Sequence, residues 1–141
     1  MTRNDAKLVI LGKGPERPNL EALIARFRLG SRVELAGYQA EPWSQYARAR
    51  LFACPSRSES FGNAIVEAMA HGLSVVATAC DGPAEILDGG LYGRLTPIGD
   101  AAALAHALED ALANPRDPVA QRQRANTFSF AARMSSAAGS P

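Results

Sequence analysis

Two glutamates frame the stretch best suited to chemistry, Glu59-Ser60-Phe61-Gly62-Asn63-Ala64-Ile65-Val66-Glu67. The apolar run Leu51-Phe52-Ala53-Cys54 precedes it and stops at Pro55-Ser56, and the run from Ala64 to His71 follows it before Gly72. Strand, loop, glycine and helix in that order set a helix N-terminus at the carboxyl end of a buried strand. The first amides of a helix have no intrahelical acceptor, and the positive end of the dipole adds to their pull on an anion. A phosphate ester is the natural guest of such a crevice. One carboxylate at its mouth and a second two turns into the helix suit hydroxyl groups, and phosphates beside hydroxyls point to a nucleotide-sugar. Spacing alone would leave both glutamates as solvated surface charges. The Phe61-Gly62 pair shifts the balance, because a residue without Cβ lets a backbone approach a ligand closely.

These side chains need buried strands to carry them. Lys7 to Leu11 is a short apolar run ending at Gly12, the pattern of a buried parallel strand. Pro18 fits the first turn of a helix in which Leu20, Leu23, Ile24 and Phe27 recur at i, i+3, i+4 and i+7. That stripe is expected in the core, and Gly30 is expected to close the helix. Arg32 to Ala36 reads as the next strand, ended by Gly37, and Trp43 to Arg50 as a short amphipathic helix. Leu51 to Cys54 and Ser74 to Ala77 are further strands, and Arg94 to Thr96 a short edge strand. Asp100 is a good N-cap for an Ala-rich helix with Leu104, Leu108 and Leu112 on one face. Alternating strands and helices imply the α/β class with a doubly wound, Rossmann-like parallel sheet, which binds ligands beyond the carboxyl ends of its strands. After Asn114-Pro115 the pattern weakens. Arg116 to Phe130 is expected to form one more helix and Ala131 to Pro141 a disordered tail, giving a nucleotide-sugar-binding domain over 1–130 and a tail over 131–141.

Composition bounds the partners. The chain has 141 residues, 47% hydrophobic and 21% charged, with a formal net charge of +1, so it is long enough for one domain and has no basic run suited to nucleic acid or an anionic membrane. Cys54 and Cys80 make no metal spacing and no disulfide framework, which fits a reducing compartment. No apolar run reaches the ~20 residues that cross a bilayer, and the amino terminus shows no signal-peptide pattern, so a cytoplasmic location is expected.

The signature resembles that of the carboxyl-terminal, donor-binding domain of retaining GT-B glycosyltransferases of the group 1 type, also called family 4. That family places its paired glutamates in a frame like Pro-Ser-x-x-Glu-x-Phe-Gly-x-x-x-x-Glu-Ala-Met-Ala-x-Gly-x-x-Val-Val-Ala. This chain reads Pro55-Ser56-Arg57-Ser58-Glu59-Ser60-Phe61-Gly62, then Glu67-Ala68-Met69-Ala70-His71-Gly72, then Val75-Val76-Ala77. Leu11-Gly12-Lys13-Gly14-Pro15, Val33-Glu34-Leu35-Ala36-Gly37, Gly82-Pro83-Ala84-Glu85-Ile86-Leu87, Gly93-Arg94-Leu95-Thr96-Pro97 and Gly99-Asp100 also match, so the likeness runs from about Leu8 to about Leu112.

The resemblance implies a hexosyltransferase that moves a sugar from a nucleoside diphosphate to a saccharide or lipid-linked acceptor, as in polysaccharide biosynthesis. Glu59, the catalytic member of the set, would contact hydroxyls of the donor sugar, and Glu67 would grip the ribose. Phe61, Gly62 and Asn63 would present amides to sugar and diphosphate, with Phe61 open between burial and sugar contact. Gly37, Tyr38 and Gln39 lie where relatives hold the base, and Gly12 and Gly14 in the matching glycine loop. Gly82, Pro83 and Glu85 would stand near sugar or diphosphate, although Glu85 reads equally as the cap of a helix starting near Pro83. The Gly-Pro-x-Glu-Ile-Leu wording is similar to that of members using UDP-sugars. His71 is expected to serve a helix end, His106 to be exposed and Trp43 to pack. Lys13 is no phosphate-loop lysine, because Gly-x-x-x-x-Gly-Lys-Ser/Thr is absent. With no Asp-x-Asp and no ligand cluster, neither metal nor cofactor is expected; the nucleotide-sugar is the substrate.

Relatives carry an amino-terminal acceptor domain, and their donor domain begins with a strand and a Gly-Arg…Lys-Gly segment that neutralises the leaving diphosphate. This chain starts at what resembles the second strand, so a truncated frame is expected, inactive alone. Lys7–Leu11 and Leu51–Cys54 must then pair directly or keep unpaired edges. Two alternatives stand beside the enzyme: a non-catalytic nucleotide-sugar binder or partner subunit, and a nucleotide-sugar epimerase, which the paired glutamates disfavour. Peripheral contact with the inner membrane face is common among relatives.

Overall fold

A computed structural model describes residues 6–12, 14–58 and 61–139, with side chains described through 128. The chain divides into two compact units, Met1–Trp43 and Ser44–Pro141, where the sequence suggested one domain.

In the first unit, strand β1 (Leu8–Leu11) pairs in parallel with β2 (Val33–Gly37), and helix α1 (Arg17–Arg26) joins them. The register is Leu8↔Val33, Val9↔Glu34 and Ile10↔Leu35, then shifts so that Leu11 faces Gly37. Pro18 sits in the first turn of α1 as expected. The end of that helix differs from expectation: Arg28, at φ 55°, takes the left-handed position, and Leu29 N–H reaches back to Ile24 O at 2.8 Å. This closes the helix two residues before Gly30, through a reverse turn that glycine makes more cheaply than arginine. The apolar stripe of α1 is also only partly covered, with Leu23 46% and Phe27 59% exposed. A two-stranded sheet offers too little surface to cover a whole helical stripe. Leu20 meets Ile10, Leu11 and Leu35 across a hollow of ≈ 240 Å³, but no residue of α1 is fully buried.

The second unit holds the core. Strands β3 (Leu51–Cys54), β4 (Ser74–Thr78) and β5 (Arg94–Thr96) form a parallel sheet in that order. Leu51↔Ser74 through Cys54↔Ala77 set one register and Val76↔Arg94 through Thr78↔Thr96 the other. Central β4 is buried along its whole length, the polar Ser74 and Thr78 at its ends included. Ile65 and Met69 of α3 (Asn63–Ala70), Val75 and Ala77 of β4, Ile86 of α4 (Asp81–Ile86), and Leu87 share one cluster. Each large side chain there contributes about 1.5–3 kcal/mol by leaving water. Asp100 caps α5 (Ala101–Ala113) as expected, its Oδ1 accepting from Ala103 N–H at 2.9 Å.

The last helix, α6, runs Pro118–Gly139 and continues through much of the segment read as a tail. After Pro118 its sequence holds neither proline nor glycine until Gly139 and is rich in alanine, so nothing local stops the helix. Its Ala125 is buried in the core cluster, and buried Gln121 donates from Nε2 to Leu73 O at 3.0 Å. Among the described residues β1 pairs only with β2, and β3 pairs only with β4.

Candidate functional site

The sheet carries the signature on its carboxyl side. β3 ends at Cys54, and the chain re-enters regular structure through Gly62 into α3. Gly62 is buried at φ 102° and ψ 57°, a left-handed conformation that a Cβ disfavours, so glycine is what lets the loop turn into the helix here. No side chain caps α3, and its first-turn contacts are Ile65 N–H and Val66 N–H to Gly62 O at 3.0 and 3.4 Å. Helix geometry leaves the amides of Asn63 and Ala64 without intrahelical acceptors. Asn63 is exposed beside them.

Phe61 is half-buried. Its ring meets Phe128 of α6 edge-on at 5.6 Å and packs on the main core cluster. Gly82 of α4 lies against the same residue: a Cβ added at Gly82 would stand 2.5 Å from Phe61 Cα. The glycine is there so that the first turn of α4 can touch the loop backbone. Glu85 is exposed near the other end of α4, which begins at Asp81 with Cys80 as its N-cap. Glu85 therefore does not cap that helix start. Its carbonyl, with that of Ile86, instead receives the Arg124 guanidinium at 3.0 and 2.9 Å. Arg124 also stacks on Tyr92 and Phe128 at 4.8 and 4.7 Å, binding the C-terminus of α4 to α6.

Glu67 follows Asn63 by one helical turn and precedes His71 by another, so the three share a face of α3. Glu67 is half-buried, and burial raises its carboxyl pKa above the ordinary 4.5. The positive charge of His71 and a hydrogen bond from the Tyr46 hydroxyl act in the opposite direction. Tyr46 lies on α2 (Trp43–Arg48), and its own pKa is pushed up to about 12, first by burial and then by the neighbouring Glu67 charge and hydrogen bond. His71 is the C-cap residue of α3, with Nδ1 2.9 Å from Glu67 O, which fits the helix-end role expected for it. Sequence reasoning missed Tyr46. The apolar and aromatic pattern around it marks a helix but not what its hydroxyl meets.

In the first unit the glycines converge. Gly12 at φ 114° donates its N–H to Gly37 O at 2.7 Å, tying the carboxyl ends of β1 and β2, and Gly37 itself is at φ 74°. Gly12 and Gly14 line the hollow with Glu16 and Arg17. Tyr38 is 67% exposed just beyond, and Gln39 is half-buried. Glu59, Ser60 and Lys13 lie outside the described residues. Among the described residues no three His, Cys, Asp or Glu side chains gather as metal ligands, and no helix is long and apolar enough to cross a membrane.

Residues 1–114 match the family "Glycosyl transferases group 1", and the chain belongs to that family. It is 36% identical over 107 residues to a lipopolysaccharide core biosynthesis glycosyltransferase of Rhizobium meliloti, covering 76% of this chain and 32% of that protein. It is 39% identical over 115 residues to a phosphatidyl-myo-inositol mannosyltransferase of Mycobacterium leprae, covering 79% of this chain and 30% of the relative. Anabaena HepE, solved in complex with UDP, superposes with a TM-score of 0.74 at 27% identity, covering 89% of this chain and 36% of HepE. The α/β architecture read from the sequence is thus a glycosyltransferase-family fold, and the chain spans about a third of the length of these relatives.

Proposed function

We propose that this chain is the donor-binding part of a retaining GT-B glycosyltransferase that moves a sugar from a nucleoside-diphosphate sugar to a saccharide or lipid-linked acceptor. The observation that carries the reading is the entry into α3: a buried left-handed glycine opens a helix whose half-buried glutamate stands one turn beyond the first amides. Those amides suit a diphosphate. The Glu67 carboxylate suits the vicinal diol of a ribose, since charge-assisted hydrogen bonds are about twice as strong as neutral ones. Glu59 is assigned to the sugar hydroxyls by its place in the signature, and the Gly37-Tyr38-Gln39 loop to the base. The UDP in the HepE complex supports a uridine donor. Retention would follow a same-face path in which the leaving phosphate takes the acceptor proton, so that catalysis is positioning and charge stabilisation.

Calorimetric titration of UDP-glucose, UDP-N-acetylglucosamine and GDP-mannose into the folded chain tests this, with Glu67→Ala in parallel. A UDP-sugar should bind, and Glu67→Ala should weaken it by roughly tenfold or more, as expected when a charged hydrogen-bond acceptor is removed. A folded preparation that takes up none of the three refutes the donor reading. Because Glu67 must be ionised to accept the diol and its pKa is raised, affinity should fall on acidification at a higher pH than an ordinary glutamate would give.

A further inference from the structure

Phe61 ends the loop that leads from β3 to Gly62, and two elements hold it. One is α4, whose Gly82 lies so close that an added Cβ would stand 2.5 Å from Phe61 Cα. The other is α6, whose Phe128 ring meets the Phe61 ring edge-on at 5.6 Å. The same helix ties these two supports together. Its Arg124 guanidinium donates to Glu85 O and Ile86 O at the end of α4 and lies 4.7 Å from the Phe128 ring. The start of the loop has a separate anchor, where Thr78 Oγ1 donates to Ser56 O. Gly62 follows Phe61 directly and no side chain caps α3, so the backbone that Phe61 carries aims the free amides of Asn63 and Ala64. The family match ends at residue 114, and α6 begins at Pro118.

We propose that Phe128, on a helix beyond the family-matched residues, is a positioning residue for the donor diphosphate. Its ring holds Phe61, and with it the Gly62 turn, in the arrangement that presents the first amides of α3 to the phosphates. The proposal rests on the reading of those amides as the diphosphate site. An edge-on aromatic pair biases the loop toward this arrangement by a factor of roughly 2–10. When the competent arrangement is less populated, apparent affinity falls by the same factor. A loop ordered before the ligand arrives also loses less freedom on binding.

The test is a double-mutant cycle of Phe61→Leu and Phe128→Leu in the 141-residue chain, read by calorimetric titration of UDP. UDP has no sugar to transfer, so direct contact of Phe61 with that sugar does not enter the measurement. Each single variant should bind UDP roughly 2–10-fold more weakly, and the double variant no more weakly than the weaker single. Phe128→Tyr keeps the ring and should bind as the wild type does. Gln121→Ala loosens the same helix where it meets the Leu73 carbonyl. It should lower the urea midpoint and leave UDP affinity unchanged. In ligand-free protein, the amide resonances of Gly62, Asn63 and Ala64 should shift in Phe128→Leu and stay in place in Gln121→Ala. Unchanged UDP binding or unshifted amides in Phe128→Leu would overturn the proposal, as would additive losses in the cycle or a loss in Phe128→Tyr. Equal weakening by Gln121→Ala would make α6 merely structural and overturn it too. A wild type that binds no UDP would instead overturn the donor reading, and the positioning role with it.

Discussion

Replacing Gly82 by alanine puts the packing at the signature loop under direct test. The added Cβ would stand 2.5 Å from Phe61 Cα and 2.6 Å from its carbonyl carbon. Both are backbone atoms, so no flexible side chain can swing aside; either the first turn of α4 or the loop before α3 must move. Gly82 sits inside a helix and is not among the positive-φ glycines, so alanine also brings a helix-propensity gain of up to about 1 kcal/mol. Overpacking of this kind costs typically about 1–3 kcal/mol, at the upper end when the obstacle is backbone. The net expectation is a loss of about 1–2 kcal/mol, read as a lower urea midpoint at unchanged slope. Gly30→Ala is the control, since its Cβ would meet nothing within 4 Å. It should stay within about 0.5 kcal/mol of wild type. The same displacement of Phe61 should weaken nucleotide binding, because the loop leads directly into the amides at Gly62. A Gly82→Ala protein as stable as the wild type, with unchanged nucleotide affinity, would refute the close approach and the argument built on it.

Further outcomes follow from other contacts. Arg124→Met removes two charge-assisted hydrogen bonds to the last carbonyls of α4 and two ring contacts. It should cost about 2 kcal/mol in denaturant unfolding. Of the three tyrosines, one should titrate at about 12 in a tyrosinate absorbance scan, and Tyr46→Phe should abolish that phase. Stability contributed by neutral Tyr46 is complete below the ordinary value of 10.0 and is lost as pH rises toward about 12. Asp110 is held below its ordinary 3.8 mainly by hydrogen bonds from Arg94 and Asn114. Its contribution is therefore present above that value and lost as pH falls through the depressed one, so Asp110→Asn should flatten the acid side of the stability curve. Met69→Ala in the main core should cost about 2–5 kcal/mol by thermal or chemical unfolding.

The order of strands and helices, the α/β class, the glycine entry into α3, the Asp100 cap and the helix-end place of His71 were legible from the amino acids. Each is written in a few neighbouring residues: an apolar run bounded by glycine, a short polar side chain before a helix, a period of 3.6. The misses have a common cause. Arg28 rather than Gly30 takes the left-handed position after α1, although such a turn favours glycine. Leu23 and Phe27 repeat at helical spacing, and only the extent of the facing sheet determines whether such a stripe is covered.

Sequence by itself determined which residues carry the family signature and in what order they arrive along the chain. Tertiary structure decided which of them touch. It turned Phe61 toward Phe128, made Gly82 a packing glycine and took Glu85 away from the start of α4. It also joined Glu67 to a tyrosine on another helix. Local backbone rules reach only a few residues along the chain. Contacts between separate elements depend on volumes and strand registers that come into being only when the core closes.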